Sequence, residues 1–390
     1  MTERFDAPWM HREDIAALNA ALGEGQARFV GGAVRDTLLG QPVKDIDMAT
    51  LLRPEEVIAR LDAAGIRNVP TGIDHGTVTA VLPGGPVEIT TLRHDVSTDG
   101  RRATVAFARD WKEDAARRDF TINALYADPA TGEIFDYFGG LGDLEKRSVR
   151  FIGNARQRIR EDHLRILRYF RFQARFGAGP ASEEAESACS DLAATLKGLS
   201  RERVGMETMN LLGLPDPAPT VQRMAELGVL TVILPEADPQ ALAALIAHEK
   251  AQGAGPDPLR RLAALLPAQV PLAEQVASRF RLSGAQKKRL AAAAAREEQP
   301  GDPRALAYRL GRDGALDRLL IAGTDISSLE NWDIPAFPLK GGQIVARGVG
   351  AGPEVARILR QVEDRWIAEG FPDESRIEAL LDAELTGPAA

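Results

Sequence analysis

Phe29-Val30-Gly31-Gly32-Ala33-Val34-Arg35-Asp36-Thr37-Leu38-Leu39-Gly40 is followed, after Gln41-Pro42-Val43, by Lys44-Asp45-Ile46-Asp47-Met48-Ala49-Thr50. An apolar pair runs into two glycines and then a short amphipathic helix. Gly40 is placed to stop that helix, because only glycine takes the left-handed C-terminal position without penalty. Glycines at a helix start let a phosphate approach backbone N–H groups, where the helix dipole also favours anions. Asp45 and Asp47 stand at i and i+2, so on a strand both carboxylates point to one face, as hard oxygen ligands for Mg²⁺. Either half alone reads as a turn or a solvated loop. Together, in order and closely spaced, they describe a phosphate grip followed by paired metal ligands, which is what phosphoryl transfer requires.

Around this stretch, residues 11–24 read as a helix leading into a strand at 27–30. After Asp47 a helix is predicted with Pro54 near its start and apolar positions Val57, Ile58 and Leu61. Two strand-like runs, 75–82 and 86–93, flank Pro83-Gly84-Gly85, a hairpin signal. Glu88 lies mid-strand in an apolar run, where a lone carboxylate is costly unless paired or metal-bound; the alternative is an outward-facing strand residue. From Asp95 to Trp111 the chain turns polar and irregular, predicting a mobile loop. Residues 114–125 carry a helical pattern on which Arg118, Asp119 and Asn123 share a face, Asp119 and Asn123 being i and i+4.

A further helix is predicted from about 155 to 176. Ile159, Ile166, Leu167 and Phe170 form its core face. Asp162, Arg165, Arg168 and Arg171 wind down the other side in i, i+3 steps, a row about 14 Å long, near the length of a nucleoside triphosphate. An acid and an arginine at one end suit a base edge; two arginines at the other suit phosphates.

Gly31-Gly32-Ala33-Val34-Arg35-Asp36, Asp45-Ile46-Asp47, Arg117-Arg118-Asp119-Phe120-Thr121-Ile122-Asn123-Ala124 and Glu161-Asp162-His163-Leu164-Arg165 together resemble the nucleotidyltransferase superfamily. The resemblance is to its class II branch, the tRNA CCA-adding enzymes and bacterial poly(A) polymerases. It spans roughly residues 27–240 and implies an α/β nucleotidyltransferase head domain followed by all-helical neck, body and tail domains, here 1–138, 139–200, 201–265 and 266–390. It further implies transfer of nucleoside monophosphates from CTP or ATP to the 3′-OH of tRNA without a template. Two Mg²⁺ ions would sit on Asp45 and Asp47, with Glu88 assisting. Gly31, Gly32 and Arg35 would belong to the nucleotide site, Arg118 would contact triphosphate or ribose, and Asp119 and Asn123 would shape the ribose pocket. Asp162 and Arg165 would read the base. The nearest alternatives are a poly(A) polymerase and a CC-only or A-only enzyme. A small-molecule nucleotidyltransferase is disfavoured by the long helical tail and basic neck. A non-catalytic RNA-binding protein is disfavoured by the presence of all three acids.

Composition agrees. The chain of 390 residues has a formal net charge of −8, yet residues 146–175 hold ten Lys/Arg against two acids, which leaves −16 for the rest. A basic segment in an acidic chain points to a polyanion site; the bland reading is a solvated helix face. The single cysteine, Cys189, excludes an internal disulfide and predicts a reducing, cytoplasmic setting. No stretch approaches 18 apolar residues, so no membrane span is expected, and no protein partner is implied. None of the five histidines forms a zinc-type pair. Beyond the neck the chain is mostly Ala- and Leu-rich helix. Residues 199–207 read as a capped helix start and resemble a segment that in this family braces the neck against the head; 283–289 read as a second basic patch at a helix start touching RNA, and Gly348–Pro353 as a turn rather than a nucleotide loop.

Overall fold

The computed structural model describes residues 5–99, 102–108, 110–179, 181–297 and 300–386. The described chain forms two compact units, one through Pro235 and one from Glu236, so residues 201–235 of the expected body fall with head and neck.

The first unit begins with α1 (Glu13–Leu22), which feeds β1 (Ala27–Val30), and α2 (Gly32–Leu38) follows directly. Gly31 initiates α2 at φ 70° and ψ −120°, a backbone closed to other residues. Gly40, at φ 64°, ends it as the sequence indicates. Next come β2 (Ile46–Thr50), α3 (Pro54–Ala63), β3 (Asn68–Gly72), β4 (Thr77–Leu82) and β5 (Gly85–Thr91). Pro54 sits in the first turn of α3, and Val57 and Leu61 are buried. The chain continues through β6 (Arg93–Asp99), β7 (Arg102–Phe107), α4 (Trp111–Ala116), β8 (Leu125–Ala127) and β9 (Ile134–Asp136).

Seven strands make one sheet in the order β3-β4-β5-β2-β1-β8-β9. Its pairings are antiparallel except β2 with β5. The parallel pair is possible because α3, β3 and β4 intervene, giving the chain length a crossover needs. The expected loop at 95–111 is instead largely a two-stranded ribbon, β6 antiparallel to β7; Gly100, Arg101 and Arg109 lie outside the described residues. Its backbone pairs with itself, so polar sequence does not prevent strand formation.

After α5 (Gly140–Glu145) the unit is helical: α6 (Ala155–Glu161), α7 (Arg165–Phe176), α8 (Glu183–Asp191), α9 (Arg201–Leu212), α10 (Ala218–Glu226) and α11 (Val229–Ile233). The expected core face is buried, with Ile159, Ile166, Leu167 and Phe170 all at 3% exposure or less. Phe120 packs against Phe151 and Phe172, both at 5.0 Å between ring centres, which ties the chain after α4 to α7.

The second unit holds eight helices among the described residues, between Pro239 and Leu385. One core gathers around Trp366 with Ile358, Val362, Ile377 and Leu380. Glu249 is buried between Arg260 and Arg261, at 2.8 Å from each. The helix Gly284–Ala294 starts with a Ser283 capping box, but Arg289 of the expected basic patch is turned onto Asp257 and Asp317. Gly348–Pro353 is a turn between the helices Gly341–Ala346 and Pro353–Ala368. Among the described residues no helix is long and apolar enough to cross a membrane.

Candidate active site

The parallel register of β2 and β5 sets Asp47 directly opposite Glu88. Paired residues of neighbouring strands project to the same face, so the two carboxylates share one side of the sheet, and Asp45 precedes β2 by one residue. Glu88 is exposed, so the burial cost inferred from its apolar neighbours does not apply; the register is what assigns it to this face. Asp47 is half-buried. Desolvation raises its pKa, Glu88 and Asp45 push it further up, and the Arg118 guanidinium opposes them. This electrostatic conflict is one that a cation relieves. Among the described residues no three carboxylates or other donors converge into a closed metal cage. Asp45 and Asp47 thus fit Mg²⁺, which keeps several waters and is held by one or two carboxylates plus substrate phosphates.

Beside the acids lies the glycine turn. A Cβ on Gly31 would meet Arg118 Nη1 at 3.4 Å, an ordinary contact, so it is the backbone at φ 70° and not the space that requires glycine here. Arg118 is held from behind: Nε donates to the Tyr126 hydroxyl at 3.1 Å and Nη2 to Asp114 Oδ2 at 3.2 Å. Burial alone would raise the Asp114 carboxyl, but the Arg118 and Arg117 guanidiniums and the Tyr126 hydroxyl hold it down at about 2. Arg35 is buried, donating to Asp36 and to Asn123 Oδ1. Its guanidinium therefore fixes the pocket wall.

Residues 114–125 are not one helix. α4 ends at Ala116, Phe120 is extended, and a single 3₁₀ turn covers Thr121–Asn123. The side-chain pairing survives the change: Asn123 Nδ2 donates to Asp119 Oδ1 at 2.9 Å, and the Phe120 N–H donates to the same oxygen at 2.8 Å.

The expected 155–176 helix also breaks. Asp162 is extended at φ −148° and ψ 106°. Its Oδ1 accepts from the Leu164 N–H at 3.1 Å and its carbonyl from the Arg165 N–H at 3.0 Å, so it ends α6 and launches α7. Only Arg165, Arg168 and Arg171 form the i, i+3 row. Arg165 Nη1 donates to Glu161 Oε2 at 2.7 Å and to the Arg158 carbonyl at 2.8 Å, and Nη2 to the Arg117 carbonyl at 3.0 Å. Arg168 reaches Asp119 Oδ2 through Nε at 2.8 Å and Nη2 at 2.6 Å. Arg171 grips Glu207 through Nε at 2.6 Å and Nη2 at 3.3 Å.

These elements line an open cavity of about 730 Å³. Every site residue named from sequence lines it except Glu88, and Arg93, Arg117 and Phe172 join them. Much of the positive charge of 146–175 is thus matched by acids from elsewhere: Asp119, Glu207, Asp36 for Arg175 and Asp191 for Arg156. Lys146, Arg147 and Arg160 are exposed and carry the open part of that charge.

Sequence reasoning missed the anchors Asp114 and Tyr126, and read Arg203 and Glu207 only as part of a bracing segment, without their partners on α7 and at Asp162. Glu207, 4% exposed, sits four residues after Arg203 on α9, and that oppositely charged i, i+4 spacing was a readable signal.

Residues 27–150 match the family described as the poly A polymerase head domain, and residues 182–241 the probable RNA and SrmB-binding site of polymerase A. The mitochondrial CCA tRNA nucleotidyltransferase 1 of Danio rerio is 36% identical over 360 residues, covering 87% of this chain and 83% of its own. The CCA-adding enzyme of Geobacillus thermodenitrificans is 40% identical over 210 residues, 53% of this chain and 50% of its own. Among solved structures, the Bacillus stearothermophilus CCA-adding enzyme in complex with CTP superposes with a TM-score of 0.71 at 26% identity, covering 96% and 97% of the two chains. The Thermotoga maritima CCA-adding enzyme complexed with tRNA, at 21% identity, shares the fold with a TM-score of 0.72 over 98% and 97%.

Proposed function

Because the chain belongs to the family of CCA-adding tRNA nucleotidyltransferases, we propose that it adds C, C and A to the 3′ end of tRNA from CTP and ATP, without a nucleic-acid template. The observation that carries the reading is that Asp45 and Asp47 line an arginine-rich cavity large enough for a nucleoside triphosphate, with Glu88 opposite Asp47 in strand register on the same face of the sheet. The tRNA 3′-OH attacks the α-phosphorus, the bond to the bridging oxygen breaks, and pyrophosphate leaves. Asp45 and Asp47 would hold two Mg²⁺ ions, which when bound would lower the 3′-OH pKa and neutralise charge on the triphosphate. Glu88 takes the hydroxyl proton.

The remaining residues bind and orient. Gly31 and Gly32 keep the wall beside the acids free of side chains, with Arg35 as the buried brace. Arg118 contacts triphosphate or ribose, and Asp119 and Asn123 shape the ribose pocket. Arg168 and Arg171 form the phosphate end. Asp162 and Arg165 read the base. The three donations of Arg165 use three of its five N–H groups, which leaves donors for a ring nitrogen. Cytosine and adenine each carry an exocyclic amine beside a ring acceptor, whereas uracil and guanine reverse the pattern. A carboxylate and a guanidinium side by side therefore accept C and A.

We assign residues 1–138 to a catalytic head, 139–200 to a neck, 201–265 to a body and 266–390 to a tRNA-binding tail. The end of the sheet at Asp136 supports the first boundary. A cytoplasmic setting is supported by the lone buried Cys189, although several relatives are mitochondrial. Purified protein given a tRNA lacking its 3′ end and all four nucleotides adds C, C and A and stops. Long A tails would favour a poly(A) polymerase; C alone or A alone would mark a partial-activity enzyme.

A further inference from the structure

We propose that Arg203 of α9 is a positioning residue for base selection, acting through the carboxylate of Asp162. The inference rests on the reading of Asp162 as the base-reading acid. Asp162 sits in the extended break between α6 and α7, its backbone N–H donating to the Arg158 carbonyl, while its side chain is held by two other contacts. Oδ1 accepts from the Leu164 N–H at 3.1 Å, and Oδ2 accepts from Arg203 Nη2 at 2.8 Å. One donor comes from the start of α7 and the other from α9, so the carboxylate plane is set from two directions. Each carboxylate oxygen has two lone-pair sites, which leaves acceptor capacity to meet an exocyclic amine.

The neighbourhood of Arg203 is built to the same plan. One turn further along α9, Glu207 grips Arg171 at 2.6 Å and lies 3.7 Å from Arg168. α9 therefore presents a cation to Asp162 and an anion to Arg168 and Arg171, in matching order. With Arg203 removed, Asp162 keeps only the Leu164 contact and turns about its last side-chain bond. An acceptor that turns rewards the amine of C or A less and excludes U and G less. A half-exposed ion pair contributes little to stability, so a substitution here reads out on selectivity more than on folding. Arg203 and Asp162 are 34% and 31% exposed.

The test is a double-mutant cycle on nucleotide choice. Arg203→Ala, Asp162→Ala and the double variant are assayed with each of the four nucleotides on tRNA lacking its 3′ end, alongside thermal unfolding of each protein. The expected result is that Arg203→Ala lowers the kcat/KM ratio of C over U about tenfold, mainly through KM, with the unfolding midpoint nearly unchanged. Asp162→Ala lowers the ratio at least as far, and the double variant goes no further than Asp162→Ala. Arg203→Lys recovers part of the ratio. Additive losses would mean that Arg203 meets the nucleotide or tRNA on its own, and would overturn the proposal. So would an unchanged ratio in Arg203→Ala alongside a lowered one in Asp162→Ala, which leaves base reading by Asp162 standing. An unchanged ratio in Asp162→Ala would remove the base-reading role and this proposal with it.

Discussion

Asp119, just after α4, and Arg168, on α7, meet through a charge-assisted hydrogen bond, Nε donating to Oδ2 at 2.8 Å, with Nη2 at 2.6 Å from the same oxygen. The residues are 49 positions apart, and both line the cavity, so their contact ties the chain after α4 to α7 at its wall. Removing the buried acid would leave the Arg168 guanidinium with only its longer contact to Glu207, at 3.7 Å, and the Asn123 amide and Phe120 N–H without their acceptor. Asp119→Ala is expected to lower stability by about 2–3 kcal/mol, below the full figure for a buried pair because Arg168 stays partly wet. Chemical denaturation measures it, and a midpoint equal to that of the parent protein would show that the contact contributes nothing.

Asp45→Ala and Asp47→Ala should each abolish nucleotide transfer, a loss of several kcal/mol of transition-state stabilisation, while leaving folding intact. For Asp47 a slight gain in stability is expected, since its charge is disfavoured by burial and by Glu88 and Asp45. Single-turnover transfer assays and thermal unfolding check both halves; transfer at near the parent rate by either variant refutes the metal assignment.

Asp114 predicts an acid limb. Its folded pKa is depressed to about 2, so the unfolded chain binds the proton more readily. The stabilisation is complete above the unfolded value near 4 and is lost as pH falls from about 4 to 2, amounting to about 2 kcal/mol. Asp114→Asn should be less stable at neutral pH, and the gap to the parent protein should close over that window. Unfolding midpoints recorded across it would disprove the assignment if the gap stayed constant.

Salt sensitivity should be milder than the count of basic residues suggests. Arg156, Arg165, Arg168, Arg171 and Arg175 already face protein carboxylates, so they release fewer counterions on binding RNA. Each phosphate contact contributes about 0.7–0.9 to the slope of log affinity against log salt. Replacing Arg147 and Arg160 with Gln should reduce that slope by at most about 2, measured by tRNA binding at several salt concentrations. An unchanged slope moves the RNA contact away from this segment.

The glycine turn, Asp45 and Asp47 were legible because their meaning is local: spacing of two on a strand and glycine at a helix start. The α6–α7 break was hidden because burial runs straight through it, Ile159 and Ile166 both being fully buried, so hydrophobic periodicity reported one helix. The capping character of Asp162 was the contrary signal. The β6–β7 ribbon was hidden for the opposite reason: Asp95-Val96-Ser97-Thr98-Asp99 lacks a clear two-residue hydrophobic alternation, while ladder hydrogen bonds are made by backbone alone. Glu88 was selected for a burial it does not have, and the strand register that pairs it with Asp47 is a long-range property.

Glu207 offers a complementary test at the phosphate end. It is 4% exposed and holds Arg171 through two hydrogen bonds at 2.6 and 3.3 Å. With Arg168 at 3.7 Å, it spaces the two arginines that the proposed function assigns to the triphosphate. A triphosphate is common to every nucleotide, so a disturbed Glu207 should penalise all of them alike. Glu207→Gln keeps the shape and most hydrogen bonding but removes the charge, and should raise KM for CTP and ATP by a similar factor of about tenfold, the scale of one charge-assisted hydrogen bond weakened. The ratio of C to U incorporation should hold. Steady-state kinetics with CTP, ATP and UTP separates the cases: a selective loss for one base would place Glu207 at the base end, and unchanged KM values would reduce it to a packing role between α7 and α9.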